Sequence, residues 1–149
     1  MGNHEKTVLS RKNENYISKH RYLELKHFCL QYPEWKEELR DLDGRVGRGD
    51  GIIQGDPQQS DPTANIAIRR IQLQKNIDLV ERTAQETDSS LFYWIFLAVT
   101  EERAYTYLRE VKGIPCCREV FYKKYREFFC RLNYIKTCER FSDKSLRKF

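Results

Sequence analysis

The nine residues Leu91-Phe92-Tyr93-Trp94-Ile95-Phe96-Leu97-Ala98-Val99 form the densest apolar stretch of the chain. They are apolar on nearly every side of a helix, which predicts a helix at the buried centre of a bundle. The stretch is too short to cross a bilayer, which takes roughly 20 apolar residues. Just upstream, Asp61-Pro62 reads as a helix start, with Asp61 as N-cap and Pro62 at the first helical position. Ile66, Leu73, Ile77, Val80 and Ala84 then follow at spacings of seven, four, three and four. Those spacings place one apolar face on a helix from Pro62 to Glu86, about six turns at 3.6 residues per turn. Asp88 or Ser89 is the expected cap of the aromatic helix. No strand-like alternation of useful length occurs, and the predicted fold class is an all-α helical bundle.

Towards the N-terminus, residues 1–15 are polar and without periodicity, and are expected to form a mobile arm. Residues 16–43 hold the N-terminal helices. The first carries Tyr16, Tyr22, Leu25, Cys29 and Leu30 at helix-like intervals. Pro33 then opens a second helix or kinks the first. Five of the seven glycines fall at 44, 47, 49, 51 and 55, so residues 44–60 read as a flexible linker. Residues 61–135 are the expected helical core, and 136–149 a basic tail.

The most informative segment is Thr100 to Leu132. Thr100 is the expected N-cap of a helix running to about Leu108 or Val111. Gly113 suits a left-handed C-cap, and Pro115 cannot continue the helix. A further helix is predicted to start at Cys116 and reach Leu132 or beyond, with Phe121, Tyr125, Phe128 and Leu132 turned inward. Its outer face then holds Arg118, Glu119, Tyr122, Lys123 and Arg126, flanked by Lys124 and Arg131. A helix, a glycine-containing turn and a second helix with a basic outer face outline a helix-turn-helix over about residues 100–132.

Charge agrees with a polyanion partner at this end. The chain has 27 Lys and Arg against 22 Asp and Glu. Eleven of the basic and four of the acidic residues lie from Lys112 to Phe149, a net +7 that leaves −2 for residues 1–111. Double-stranded DNA is the partner this asymmetry suggests. Arg118 is placed to fork onto a guanine, Tyr122 to meet a phosphate or a thymine methyl, and Lys123, Lys124, Arg126 and Arg131 to neutralise phosphates. Glu119 is expected to tune base choice.

Leu97-Ala98-Val99-Thr100-Glu101, Tyr105-Thr106-Tyr107-Leu108, Gly113-Ile114-Pro115-Cys116 and Phe121-Tyr122 with Arg126, Phe128 and Phe129 resemble small regulators encoded by phages and prophages of Gram-positive bacteria. Tyr22-Leu23-Glu24-Leu25-Lys26, Gln31 to Lys36 and Asp61-Pro62-Thr63 fit the same layout. The resemblance covers most of residues 20–135 outside the glycine linker. It implies a late-gene transcriptional activator of the RinA or ArpU type, with a helix-turn-helix similar to the sigma-factor region that reads the −35 promoter element. It also implies action in the bacterial cytoplasm and contact with RNA polymerase. The sequence departs from the common pattern in one place. Arg109-Glu110-Val111-Lys112 intervene between Leu108 and Gly113-Ile114, so either the turn is longer or the helix before it carries an extra turn.

Other chemistry is poorly served. Five Cys in a chain that opens polar, without an export signal, suit reduced thiols better than a disulfide framework. Cys116, Cys117, Cys130 and Cys138 lack the close C-x2-C pairs of small zinc sites. The glycine-rich segment lacks the Lys-Ser or Lys-Thr of a phosphate loop. No catalytic motif, cofactor or metal site is expected, and no membrane association. Two rival readings stay open: a protein-interaction module for RNA polymerase or another phage protein, and a small terminase-like packaging protein. Oligomeric state discriminates between packaging and regulation: a ring favours packaging, and a monomer or homodimer favours regulation.

Overall fold

A computed structural model of the chain describes residues 16–47 and 61–146. The expected arm, residues 48–60 of the expected glycine linker and the last three residues lie outside them. Among the described residues there are six helices and no strand: α1 (Lys19–Leu30), α2 (Tyr32–Gly47), α3 (Pro62–Thr87), α4 (Phe92–Glu101), α5 (Tyr105–Glu110) and α6 (Arg118–Leu146). The all-α expectation holds. None of these helices is long and apolar enough to cross a membrane.

The helix starts follow local chemistry. Ser18 accepts the Arg21 N–H at 3.3 Å, so α1 begins at Lys19 and Tyr16 lies ahead of it. Gln31 alone separates α1 from α2, with Pro33 in the first turn of α2, where its missing N–H costs no hydrogen bond. Asp61 accepts the Thr63 N–H at 2.9 Å with Pro62 behind it, as the sequence predicts for α3. Asp88 ends α3 and turns its carboxylate to the Ser90 and Leu91 N–H groups at 2.9 and 3.1 Å. It therefore braces the entry to α4, although Leu91 holds the N-cap position.

Two expected boundaries are corrected. α2 continues through Gly44 to Gly47, beyond the expected linker start. α6 continues from Leu132 through Leu146, so most of the expected basic tail is helix. The reason is packing. Lys136 lies over the Phe28 ring at 3.7 Å, and Arg140 reaches Glu24 at 3.1 Å, so α1 supports α6 beyond the core.

α3 and α6 run antiparallel, with Lys124 near Asp88 at one end (3.6 Å) and Lys75 near Glu139 at the other (3.7 Å). α1 packs across α6, where Tyr22 meets Tyr125 (3.1 Å between hydroxyls) and Arg21 donates to Asn133 at 2.8 Å. The core between them contains Leu25, Leu73, Ile77, Ile95, Phe121 and Phe128, all at or near zero exposure. Each such side chain contributes about 1.5–3 kcal/mol by leaving water. Thr83 and Thr87 are buried too, and each donates its hydroxyl one turn back, to Leu79 O and Thr83 O. α4 passes through this centre as expected, burying Ile95 and Leu97 to Thr100. It is not covered on every side: Tyr93 is 46% exposed.

Candidate nucleic-acid interface

The first half of α6 is set against the bundle by α4, α5 and the connection between α5 and α6. α4 ends at Glu101, and Glu102 takes a left-handed conformation (φ 56°) that closes it. Thr100 is therefore the buried end of α4, donating its hydroxyl to Phe96 O at 2.7 Å, and not the N-cap of the next helix. Ala104 takes that cap position, without a capping side chain. α5 spans six residues, and the connection from Val111 to Cys117 is correspondingly long. Of the two alternatives the sequence allowed, the longer turn is the one observed.

That connection is fixed at several points. Gly113 adopts φ 63°, which side-chain-bearing residues rarely adopt. The following Ile114 N–H returns to Leu108 O at 3.0 Å, and the Ile114 side chain is buried. Trp94 of α4 donates its indole N–H to Lys112 O at 3.0 Å, and Tyr105 of α5 donates its hydroxyl to Cys116 O at 2.8 Å. α6 starts at Arg118, two residues later than the sequence suggested. Its first ladder bond runs from the Phe121 N–H to Cys117 O at 3.1 Å.

Phe121, Phe128 and Leu132 point inward as predicted, and Phe129 joins them. Tyr125 is largely buried with its hydroxyl on Tyr22, and burial, reinforced by Tyr22, pushes its pKa well above the ordinary 10.0. This is a structural tyrosine, not an ionising one.

The seven residues proposed as contacts fall into three groups. Arg118, Glu119 and Lys123 are exposed together on the first two turns of α6. Tyr122 and Arg126 are half-buried beside them. Tyr122 packs edge-on against Phe121 (5.1 Å between centroids), and the Arg118 guanidinium sits 5.5 Å from its ring. This contact narrows the directions the Arg118 side chain samples. Lys124 and Arg131 are held inside the protein's own ion pairs. Lys124 lies 3.3 Å from Glu127 and 3.6 Å from Asp88, and Arg131 lies 3.6 Å from Glu127. Asp88 is kept well below its ordinary pKa by the Ser90 hydroxyl bond, with Lys124 adding to the effect, so the clamp is charged at neutral pH.

The sequence reading passed over Arg109 and Lys112, both exposed at the end of α5 and the start of the connection. In a helix-turn-helix, cations just before the turn would lie where the first helix crosses the phosphate backbone. No cluster of three or more His, Cys, Asp or Glu able to hold a metal exists among the described residues. Set beside family models, curated proteins and solved structures, the chain matches none of them.

Proposed function

We propose that the chain is a sequence-specific DNA-binding transcriptional regulator of phage or prophage origin, acting in the bacterial cytoplasm. The observation that carries the reading is the first half of α6. Arg118, Glu119 and Lys123 project from a helix whose start is fixed by Gly113 and by the Trp94, Tyr105 and Ile114 hydrogen bonds. A helix is the right width for the major groove, and residues near its N-terminus meet base edges first. Arg118 reads a guanine edge, Glu119 selects against bases that offer no donor, and Lys123 and Arg126 neutralise phosphates. Arg109 and Lys112 grip the backbone from the other side of the turn. The concentration of positive charge after Lys112 draws the duplex to this end of the molecule.

The test is a fluorescence-anisotropy titration on pooled phage late-promoter DNA and on a scrambled duplex, each at two salt concentrations. Tighter binding to one promoter segment, retained at the higher salt, supports the reading and locates the site. Equal weak binding that disappears with salt leaves only non-specific phosphate contact and overturns it.

A second reading, a docking module for RNA polymerase or another protein, is favoured by one feature. Tyr134 and Phe141 are 71% and 68% exposed on the second half of α6. Aromatic side chains of this size are typical anchors of protein interfaces.

A further inference from the structure

Cys116 and Cys117 are adjacent in the turn that leads into α6, one half-exposed and the other exposed. The other three thiols offer no such pair. Cys29 is buried, and burial pushes its pKa up to about 12. Cys130 and Cys138 lie eight residues apart, about 12 Å along α6 at 1.5 Å per residue. Burial first, then Cys117 and Asp88, push the Cys116 thiol above its ordinary pKa.

We propose that Cys116 and Cys117 form a vicinal dithiol that captures trivalent arsenicals as a two-sulfur chelate at the turn that sets α6. The ligand set decides the class of group. No third Cys, His, Asp or Glu joins the pair into a metal cluster among the described residues. Two thiols without a third ligand suit a trivalent centre that brings its own third substituent. With phenylarsine oxide two As–S bonds form, the two thiol protons leave with the arsenic oxygen as water, and arsenic stays trivalent. Once the first bond forms, the second closes within the molecule, so the pair outcompetes single thiols by effective concentration.

The chelate acts on structure as well as on sulfur. Drawing the two side chains together moves residues whose carbonyls hold the Tyr105 hydroxyl and the first N–H bond of α6.

The test is intact mass spectrometry of the folded full chain after phenylarsine oxide treatment and a wash with excess mercaptoethanol. One phenylarsenic group per chain is expected to survive the wash and to be removed by 2,3-dimercaptopropanol. Cys117→Ser, at an exposed position, is expected to keep the fold by circular dichroism and to lose the wash-resistant adduct. Cys138→Ser is expected to retain it. Loss of arsenic from the wild type in the monothiol wash, or a wash-resistant adduct on Cys117→Ser, overturns the proposal. The measurement contains no DNA, so its failure is distinct from failure of the DNA-binding reading.

Discussion

The two halves of α6 have similar basic composition and opposite uses for it. In the first half, Arg118 and Lys123 face solvent and have no ion-pair partner among the described residues. From Arg131 onward three cations bind the protein to itself: Arg131 to Glu127, Arg140 to Glu24, and Lys136 over Phe28. Lys124, next to the exposed Lys123, joins α6 to the Asp88 corner. A net charge of +7 from Lys112 to Phe149 therefore overstates the charge available to a polyanion. Charge counts along a sequence locate a basic end, but the distribution of carboxylates on neighbouring helices decides which cations face outward.

The comparison breaks first if the shared inner face is damaged. Phe128 is fully buried between the two halves. Phe128→Ala is expected to cost about 3–5 kcal/mol in urea unfolding, through lost transfer energy and a cavity. An effect under about 1 kcal/mol would mean that the core is not packed as described. Next come the proposed DNA contacts of the first half. Arg118→Ala should weaken binding to the selected DNA site by about 1–3 kcal/mol while leaving scrambled DNA nearly unchanged. Lys123→Ala should weaken both and lower the salt slope by about 1. Equal, small effects from the two substitutions would overturn the recognition role proposed for this half.

A smaller effect separates the inner seam from the outer face by pH. Tyr125 has a folded pKa raised above its ordinary 10.0, chiefly by burial. Its stabilisation is fully present below pH 10.0 and is lost as pH rises beyond that value, because the unfolded chain ionises first. Tyr125→Phe should therefore flatten the fall in urea midpoint between about pH 9 and 11. An unchanged slope would mean that the Tyr22–Tyr125 contact is open to water. The smallest effect is expected from Arg140→Ala, an exposed pair worth about 0–1 kcal/mol of stability, with DNA affinity unchanged.

Much of the fold was legible because local chemistry and tertiary packing agree. Asp61-Pro62 marks α3 to the residue, and the Leu91–Val99 run marks the central helix. Thr100 misled because a threonine followed by Glu101 and Glu102 has the composition of a helix start, whereas its hydroxyl is used one turn back within α4. The true start of α5, at Ala104, carries no capping side chain and so leaves no mark in the sequence. At the site, the outward position of Arg118, Glu119 and Lys123 followed from helical spacing alone. The withdrawal of Lys124 and Arg131 did not. It depends in part on Asp88, 36 residues before Lys124, and on which way Glu127 turns. The support of the second half by α1 is further out of reach, because Arg140 and Glu24 are 116 residues apart.

The most direct test of the contrast is to titrate a promoter duplex into 15N-labelled protein and follow each backbone amide. The account predicts that shifts concentrate on residues 109–126, with little change from 131 to 142. Shifts concentrated on 131–142, with residues 116–126 unmoved, would contradict it and assign the nucleic-acid surface to the other half of α6.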